Sequence, residues 1–136
     1  MEIKKFLSKN NNNKGLVFDQ GLGFVGAVMS LVVSNSSKKD YAVIIGVARE
    51  ESIEIIENIN KGIFPIKSSD PKIEQYHQNS IKKGNFLATY DTSAYSYASV
   101  IIVDINLDVQ KNSDSKGNLN SFNVDLNPFK NAIRTI

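Results

Sequence analysis

Apolar positions fall in short runs separated by polar stretches, and the runs change period along the chain. Residues 1–14 are polar and asparagine-rich, with a short helix or strand expected at 3–7 and a loop over 9–14. They read as a polar N-terminal arm before a single folded unit over 15–136. Residues 15–20 predict a short buried strand. Residues 24–35 predict a helix apolar on most faces, through Val25, Val28, Met29, Leu31 and Val32. A helix of that kind packs against a sheet. Residues 41–48 are continuously apolar, as in a strand covered on both faces. Residues 50–61 predict a helix with Ile53, Ile55, Ile56 and Ile59 on one broad side. Glu50, Glu51 and Glu54 crowd its start, where the helix dipole favours acids, and Gly62 suits its C-terminal cap.

Residues 63–70 read as a loop containing Pro65. Asp70 and Pro71 then supply a cap and a first helical residue, for a helix ending at Lys83 before Gly84. Residues 86–89 predict a short strand, 93–98 a short helix or turn, and 99–105 a clear strand. Residues 108–120 are polar and read as a mobile loop. Residues 123–136 predict a helix with Leu126, Phe129, Ile133 and Ile136 on one face.

A length of 136 residues suits one domain with a modest core. The net charge of +2 is too small to argue for a nucleic-acid or membrane partner, and the lysine pairs are scattered. Cysteine is absent, which excludes disulfides, zinc–thiolate sites and cysteine nucleophiles within this chain and fits a reducing compartment. With one histidine, His77, a multi-histidine metal site is excluded too. No apolar run reaches transmembrane length and the N-terminus has no apolar signal core, so the expected location is cytoplasmic.

The chemistry concentrates where the first strand meets the first long helix. Glycines at 21, 23 and 26 give the spacing G-x-G-x-x-G. Gly21 permits a tight turn, Gly23 lets backbone approach a pyrophosphate, and Gly26 lets helix and strand lie close. The helix N-terminus then faces the phosphates with free N–H groups. The order strand, helix, strand, helix over the first 62 residues is the context this motif requires. The expected fold is therefore α/β: a Rossmann-type doubly wound parallel sheet in three layers. A further strand is due after the last helix, so the sheet reads as truncated at its C-terminal end.

Four features, in order, resemble the N-terminal coenzyme-binding domain of the nucleotide-sugar dehydrogenases. These enzymes act on UDP-glucose, GDP-mannose or UDP-N-acetyl-hexosamines, and the last group is the most similar in feel. The features are Gly21-Leu22-Gly23-Phe24-Val25-Gly26; the run Val43 to Val47 with its helix ending Asn58-Ile59-Asn60-Lys61-Gly62, then Phe64-Pro65-Ile66; Leu87-Ala88-Thr89-Tyr90-Asp91; and Tyr97 to Val103. The resemblance implies NAD-dependent oxidation of a sugar C6 alcohol to the acid, in polysaccharide biosynthesis. It implies only the coenzyme half here, because the family's catalytic cysteine and lysine region lies beyond residue 136. The chain alone should not be catalytic, and nucleotide sugar should bind only in a longer chain. The family commonly forms homodimers. Coenzyme contacts are carried onto Gly21, Gly23, Phe24, Val25 and Gly26.

Departures bear on the coenzyme. Ala48 stands where the family has the acid for the adenosine ribose, and Arg49 follows. That pattern accommodates a 2′-phosphate and points toward NADP, whereas Glu50 taking the acid's role points to NAD, and a decayed site points to weak or lost binding. Asn106 falls in place of a threonine near the coenzyme, and Lys67 near an expected glutamate. Asp19 and Gln20 precede the first glycine where small or apolar residues are usual, and an acid there is unhelpful unless it points away. His77 reads as a solvated helix residue. Asp104 and Asp108 read as loop caps, with a metal pair as the alternative. Tyr90, Tyr95 and Tyr97 are expected to pack at the edges of the short helix. Two other readings stand beside the dehydrogenase one: a non-catalytic Rossmann module acting in assembly, and another Rossmann enzyme such as a methyltransferase.

Overall fold

The computed structural model describes residues 3–10, 15–21, 23–37, 41–46 and 53–136. The elements are α1 (Ile3–Asn10), β1 (Gly15–Gln20), α2 (Phe24–Ser34), β2 (Tyr41–Gly46), α3 (Ile53–Asn60), α4 (Pro71–Lys83), β3 (Phe86–Thr89), a 3-10 turn (Thr92–Tyr97), β4 (Val100–Val103), β5 (Val109–Ser113), β6 (Leu119–Val124) and α5 (Asn127–Arg134). Four strands form one parallel sheet in the order β3-β2-β1-β4. The chain order reverses beside β1, which has β2 on one flank and β4 on the other. A crevice opens at such a reversal, beyond the strands' C-terminal ends.

Both faces of the sheet are covered, which is why its strands read as unbroken apolar runs. Alternate residues take opposite faces. Val17, Val43, Ile45, Phe86 and Ala88 pack with Ala27 and Leu31 of α2 and Ile56 and Ile59 of α3. Leu16, Phe18, Ala42, Ile44 and Leu87 pack with Ile3 and Phe6 of α1 and Ala94 and Tyr95 of the 3-10 turn. The expected three-layer α/β architecture is present.

The N-terminal segment departs from the expected loop. Residues 9 and 10 continue a helix begun at Ile3, and Ile3, Phe6 and Asn10 turn inward from one face. Phe6 is fully buried. Asn10 Nδ2 donates to the carbonyls of Phe6 and of Gly84, tying α1 to the end of α4.

α4 begins and ends as its sequence predicts. The Asp70 carboxylate accepts from Lys72 N–H, Pro71 takes the first turn, and Gly84 closes the helix at φ 67. Small polar groups lock it to α2: Asn35 Nδ2 donates to Ser80 Oγ and the Tyr76 carbonyl. Asn60 pairs with both N–H and C=O of Ala88, satisfying the outer edge of β3.

His77 corrects the solvated-surface expectation. It is fully buried between Phe64 and Phe86, with ring centroids 5.2 and 5.9 Å away. Nε2 lies 3.0 Å from the Ile59 carbonyl and so carries the hydrogen, while Nδ1 has no partner. The reason is that α3 and the following loop fold over α4, with Gln78 donating to the Gly62 carbonyl.

The polar stretch after β4 is likewise ordered rather than a mobile loop. β5 and β6 form an antiparallel hairpin, its turn held by Asp114, which accepts from the N–H groups of Lys116 and Asn118. The Asn118 side-chain amide, which also donates to this carboxylate, and then these N–H groups hold the Asp114 carboxyl below its usual range. β6 claims residues 119–124, so the last helix starts at Asn127 rather than 123.

Two outcomes test this packing. Phe6→Ala is expected to cost about 3–5 kcal/mol in urea unfolding, whereas removal of a solvated arm residue costs almost nothing. Burial lowers the His77 pKa from 6.5, the Ile59 carbonyl opposing. The unfolded chain therefore takes up this proton at a higher pH than the folded one. The His77 contribution to stability is complete above pH 6.5 and falls as pH drops below it. Unfolding midpoints at pH 7.5 and 5.5 should differ less in His77→Gln than in the parent.

Candidate functional site

The site is built on the turn from β1 into α2. Gly21 N–H donates to the Gly46 carbonyl and Asp104 N–H to the Gln20 carbonyl, at 3.0 and 3.1 Å. The turn is thereby strung between the ends of β2 and β4. Gly21 has φ +157, and a Cβ there would meet the backbone carbonyl oxygen of Asp104. Only glycine fits. Gly23 caps α2 with no side-chain hydrogen bond, and the first turn of the helix holds no acid. The leading N–H groups of α2 are left for an anion. The side of Gly23 where a Cβ would stand is open, its nearest neighbour being Asp104 Oδ2 at 4.0 Å. Phe24 and Val25 are exposed at 59% and 62%, beside this opening. The structure therefore brings four of the expected residues, Gly23, Phe24, Val25 and Gly26, onto one helix start.

Gly26 faces inward, toward two acids. A Cβ on it would come within 2.7 Å of Asp104 Oδ2 and 3.0 Å of Asp19 Oδ1. Asp19 points beneath α2 and is almost fully buried. Its Oδ2 accepts from Ser30 Oγ at 2.9 Å, and its Oδ1 has no partner. Burial pushes its pKa up to about 6; the Ser30 bond opposes this and the Asp104 charge adds to it. Asp104 was legible only as a loop cap or half of a metal pair. In the structure it leans on the glycine turn, while Asp108 is exposed. Among the described residues no group of three or more potential metal ligands occurs. The signal for Asp104 was its place one residue after the strand that flanks β1.

On the other face of β1, Gln20 Nε2 donates to the Ala132 carbonyl and to Thr135 Oγ1, anchoring α5 beside the crevice. Tyr95 packs on Phe18 with ring centroids 4.2 Å apart. Tyr95 is buried, whereas Tyr90 and Tyr97 are exposed. Asn106 is exposed on the segment after β4. Ala48, Arg49 and Glu50 lie outside the described residues. A groove of about 840 Å³ runs along β3, lined by Asn60, Thr89, Tyr90, Asp91 and Tyr97 among others, and includes no residue of the glycine turn. The turn's open side and free N–H groups, rather than that volume, mark the candidate site. No helix among the described residues is long and apolar enough to cross a membrane.

The chain is similar in structure to nucleotide-sugar dehydrogenases. GDP-mannose dehydrogenase from Pseudomonas aeruginosa, solved as a ternary complex, matches 88% of this chain at 26% identity and TM-score 0.63. NDP-N-acetyl-D-galactosaminuronic acid dehydrogenase from Methanosarcina mazei matches 97% at 22% identity and TM-score 0.70. UDP-D-ManNAc dehydrogenase from Pyrococcus horikoshii matches 88% at 22% identity and TM-score 0.64. This chain spans 24%, 26% and 24% of those chains, respectively. No family model and no curated protein matches it.

Two substitutions test the geometry of the turn. Gly21→Ala is expected to cost more than about 2 kcal/mol, because its Cβ meets backbone that cannot rotate away. Asp19→Asn keeps an acceptor for Ser30. The folded Asp19 loses its proton near pH 6 and the unfolded one near 3.8, so its ionisation weakens the fold as pH rises through 6. The stabilising effect of Asp19→Asn should therefore be larger at pH 7.5 than at pH 4.5 in thermal unfolding.

Proposed function

We propose that this chain is the coenzyme-binding portion of a nucleotide-sugar dehydrogenase, taking NAD on the glycine turn and not catalytic alone. The observation that carries the reading is the uncapped N-terminus of α2, opening at Gly23 beside the strand reversal at β1. The N–H groups of the first α2 turn would hold the pyrophosphate, with Gly23 allowing close approach and Gly21 and Gly26 setting the turn. Phe24 and Val25 would flank it. Asn106, after β4, would lie near the coenzyme, and Arg49, outside the described residues, is expected to meet the adenosine ribose. Bound NAD supplies a hydride acceptor. In a longer chain that chemistry would oxidise the C6 alcohol of a UDP- or GDP-sugar to the acid. The same reading assigns the protein to the cytoplasm, as a homodimer in its longer form.

NADP is the alternative coenzyme, and Arg49 is the residue that would favour it. A second reading, a Rossmann module with weak or lost nucleotide binding acting in assembly, draws on one observation: the Asp104 carboxylate beside the turn.

Calorimetric titration with NAD and NADP distinguishes these. The coenzyme reading expects saturable binding that falls at least about ten-fold in Gly23→Asp, whose new charge sits at the phosphate position while its side chain still suits a helix cap. NADP preference lost in Arg49→Ala would assign the coenzyme to NADP. No binding of either coenzyme overturns the reading in favour of the assembly module.

A further inference from the structure

The β5–β6 hairpin stands outside both packed layers. Among the described residues its strands pair with each other and with no further strand. Neither core cluster includes a residue of either strand. Every residue of both strands is exposed except Val124, which is half-buried. A two-stranded hairpin with uncovered faces is marginal in water, and further strands are what stabilise it. The register sets Val109 opposite Val124 and Lys111 opposite Phe122, on one face. Gln110 with Asn123 and Asn112 with Ser121 make the other face, where Asn112 Nδ2 donates to Ser121 Oγ at 3.1 Å. The first face is apolar apart from Lys111. Phe122 on it is 67% exposed, more than any other large apolar residue among those described.

The two outer edges of the hairpin differ. A charge or a proline on an edge strand discourages pairing with another chain. β5 carries Lys111 at its centre. Two copies joined along β5 in full overlap would set Lys111 against its own copy, and like charges directly opposite repel. β6 reads Leu-Asn-Ser-Phe-Asn-Val, with no charge and no proline. Its one irregularity lies at the turn end, where Ser113 pairs with Leu119 and Asn120 is passed over. Residues 121–124 are left as regular strand. In a sheet shared across a two-fold axis each residue keeps its own face. A register centred on Phe122 then sets Phe122 against its copy and Ser121 against Asn123, so apolar meets apolar and polar meets polar. The charges of the turn, Asp114 and Lys116, are of opposite sign. Nothing on this edge selects a charged partner, whereas an uncharged edge that matches itself suits a second copy.

We infer that β6 is the docking edge for β6 of a second copy of this chain, antiparallel about a two-fold axis at Phe122. The two hairpins then form one continuous sheet, with Val109, Phe122 and Val124 of both copies on one face. This surface shares no residue with the glycine turn, and the inference does not depend on what that turn binds. A strand contact is smaller than the ~800 Å² per partner of a standard interface, so a dissociation constant on the order of 10–100 μM is expected.

Sedimentation equilibrium of the 136-residue chain, from roughly 1 μM to 1 mM, tests this on the parent and four variants. The parent should pass from monomer to dimer across that range. Phe122→Lys places on the β6 axis the like-charge pair that Lys111 would place on β5, and should stay monomeric. Phe122→Ala adds no charge and should weaken association at least about ten-fold through loss of the aromatic pair. Gln110→Lys, on the β5 edge, and Ile136→Lys, on the exposed apolar face of α5, should dimerise as the parent does. Because no hairpin residue enters either core, thermal midpoints measured where the parent is dissociated should match across the Phe122 variants and the parent.

A parent that remains monomeric to about 1 mM overturns the inference. So does a dimer that persists in both Phe122 variants. Dissociation in Gln110→Lys or Ile136→Lys as great as in Phe122→Lys overturns it too, because the contact then does not run along β6.

Discussion

The close passage of Gly21 over the backbone of Asp104 is the constraint on which the crevice depends. β1 lies between β2 and β4, so the chain leaving it must clear both neighbours before turning back as α2. It does so with Gly21 hydrogen-bonded to Gly46 on one side and Gln20 accepting from Asp104 on the other. A side chain at 21 would strike the Asp104 carbonyl. Were the turn pushed outward, α2 would lose its seat against β1 and β2, and Ala27 and Leu31 would leave the core. A glycine motif often explained by its ligand is thus required first by the fold. The open side of Gly23 is the part that the packing leaves uncovered.

The two layers around the sheet support that turn differently. α2 and α4 are joined by Ser34, Asn35 and Ser80, which bond one another and the Tyr76 carbonyl, and Asn85 donates to the carbonyls of Ser34 and Tyr41. The opposite face carries α1, the 3-10 turn and the anchor from Gln20 to the end of α5. Each anchor uses a polar side chain at the end of an apolar element, where backbone groups would otherwise be unpaired. Burial supplies the bulk of the stabilisation, and these bonds fix which ends meet.

How much was readable in the sequence follows from this division. β1, α2, β2 and α4 were legible because local signals and tertiary need coincide: continuous apolar runs, Asp70 with Pro71, Gly84. α1 was not, because its inward face is carried by Ile3 and Phe6 with Asn10, and an asparagine run hides a helix that pays its polar group back through Gly84. His77 was misread because Glu74, Gln75 and Gln78 surround it in sequence. Its spacing from Ile73, Tyr76, Ser80 and Ile81 is that of one helical face, and that face is the buried one. The β5–β6 hairpin was hidden by polar strands with little apolar alternation, their pairing expressed only through backbone. The strand expected over 99–105 includes Asp104, whereas β4 ends at Val103; contact of Asp104 with Gly26 depends on β4 lying next to β1, which is long-range information.

The start of α2 then presents a competition rather than a simple anion hole. Its dipole favours a negative charge. Two carboxyls approach it from below, and a diphosphate would approach from the open side of Gly23. The same positive end cannot fully compensate all of them. A fully buried Asp19 is held with one donor, Ser30, and one oxygen unsatisfied. The glycines set the shape of this turn, while Asp19 and Asp104, which the motif does not include, place two carboxyls behind it. Spacing alone describes the shape of this site, and the acids behind it describe its charge.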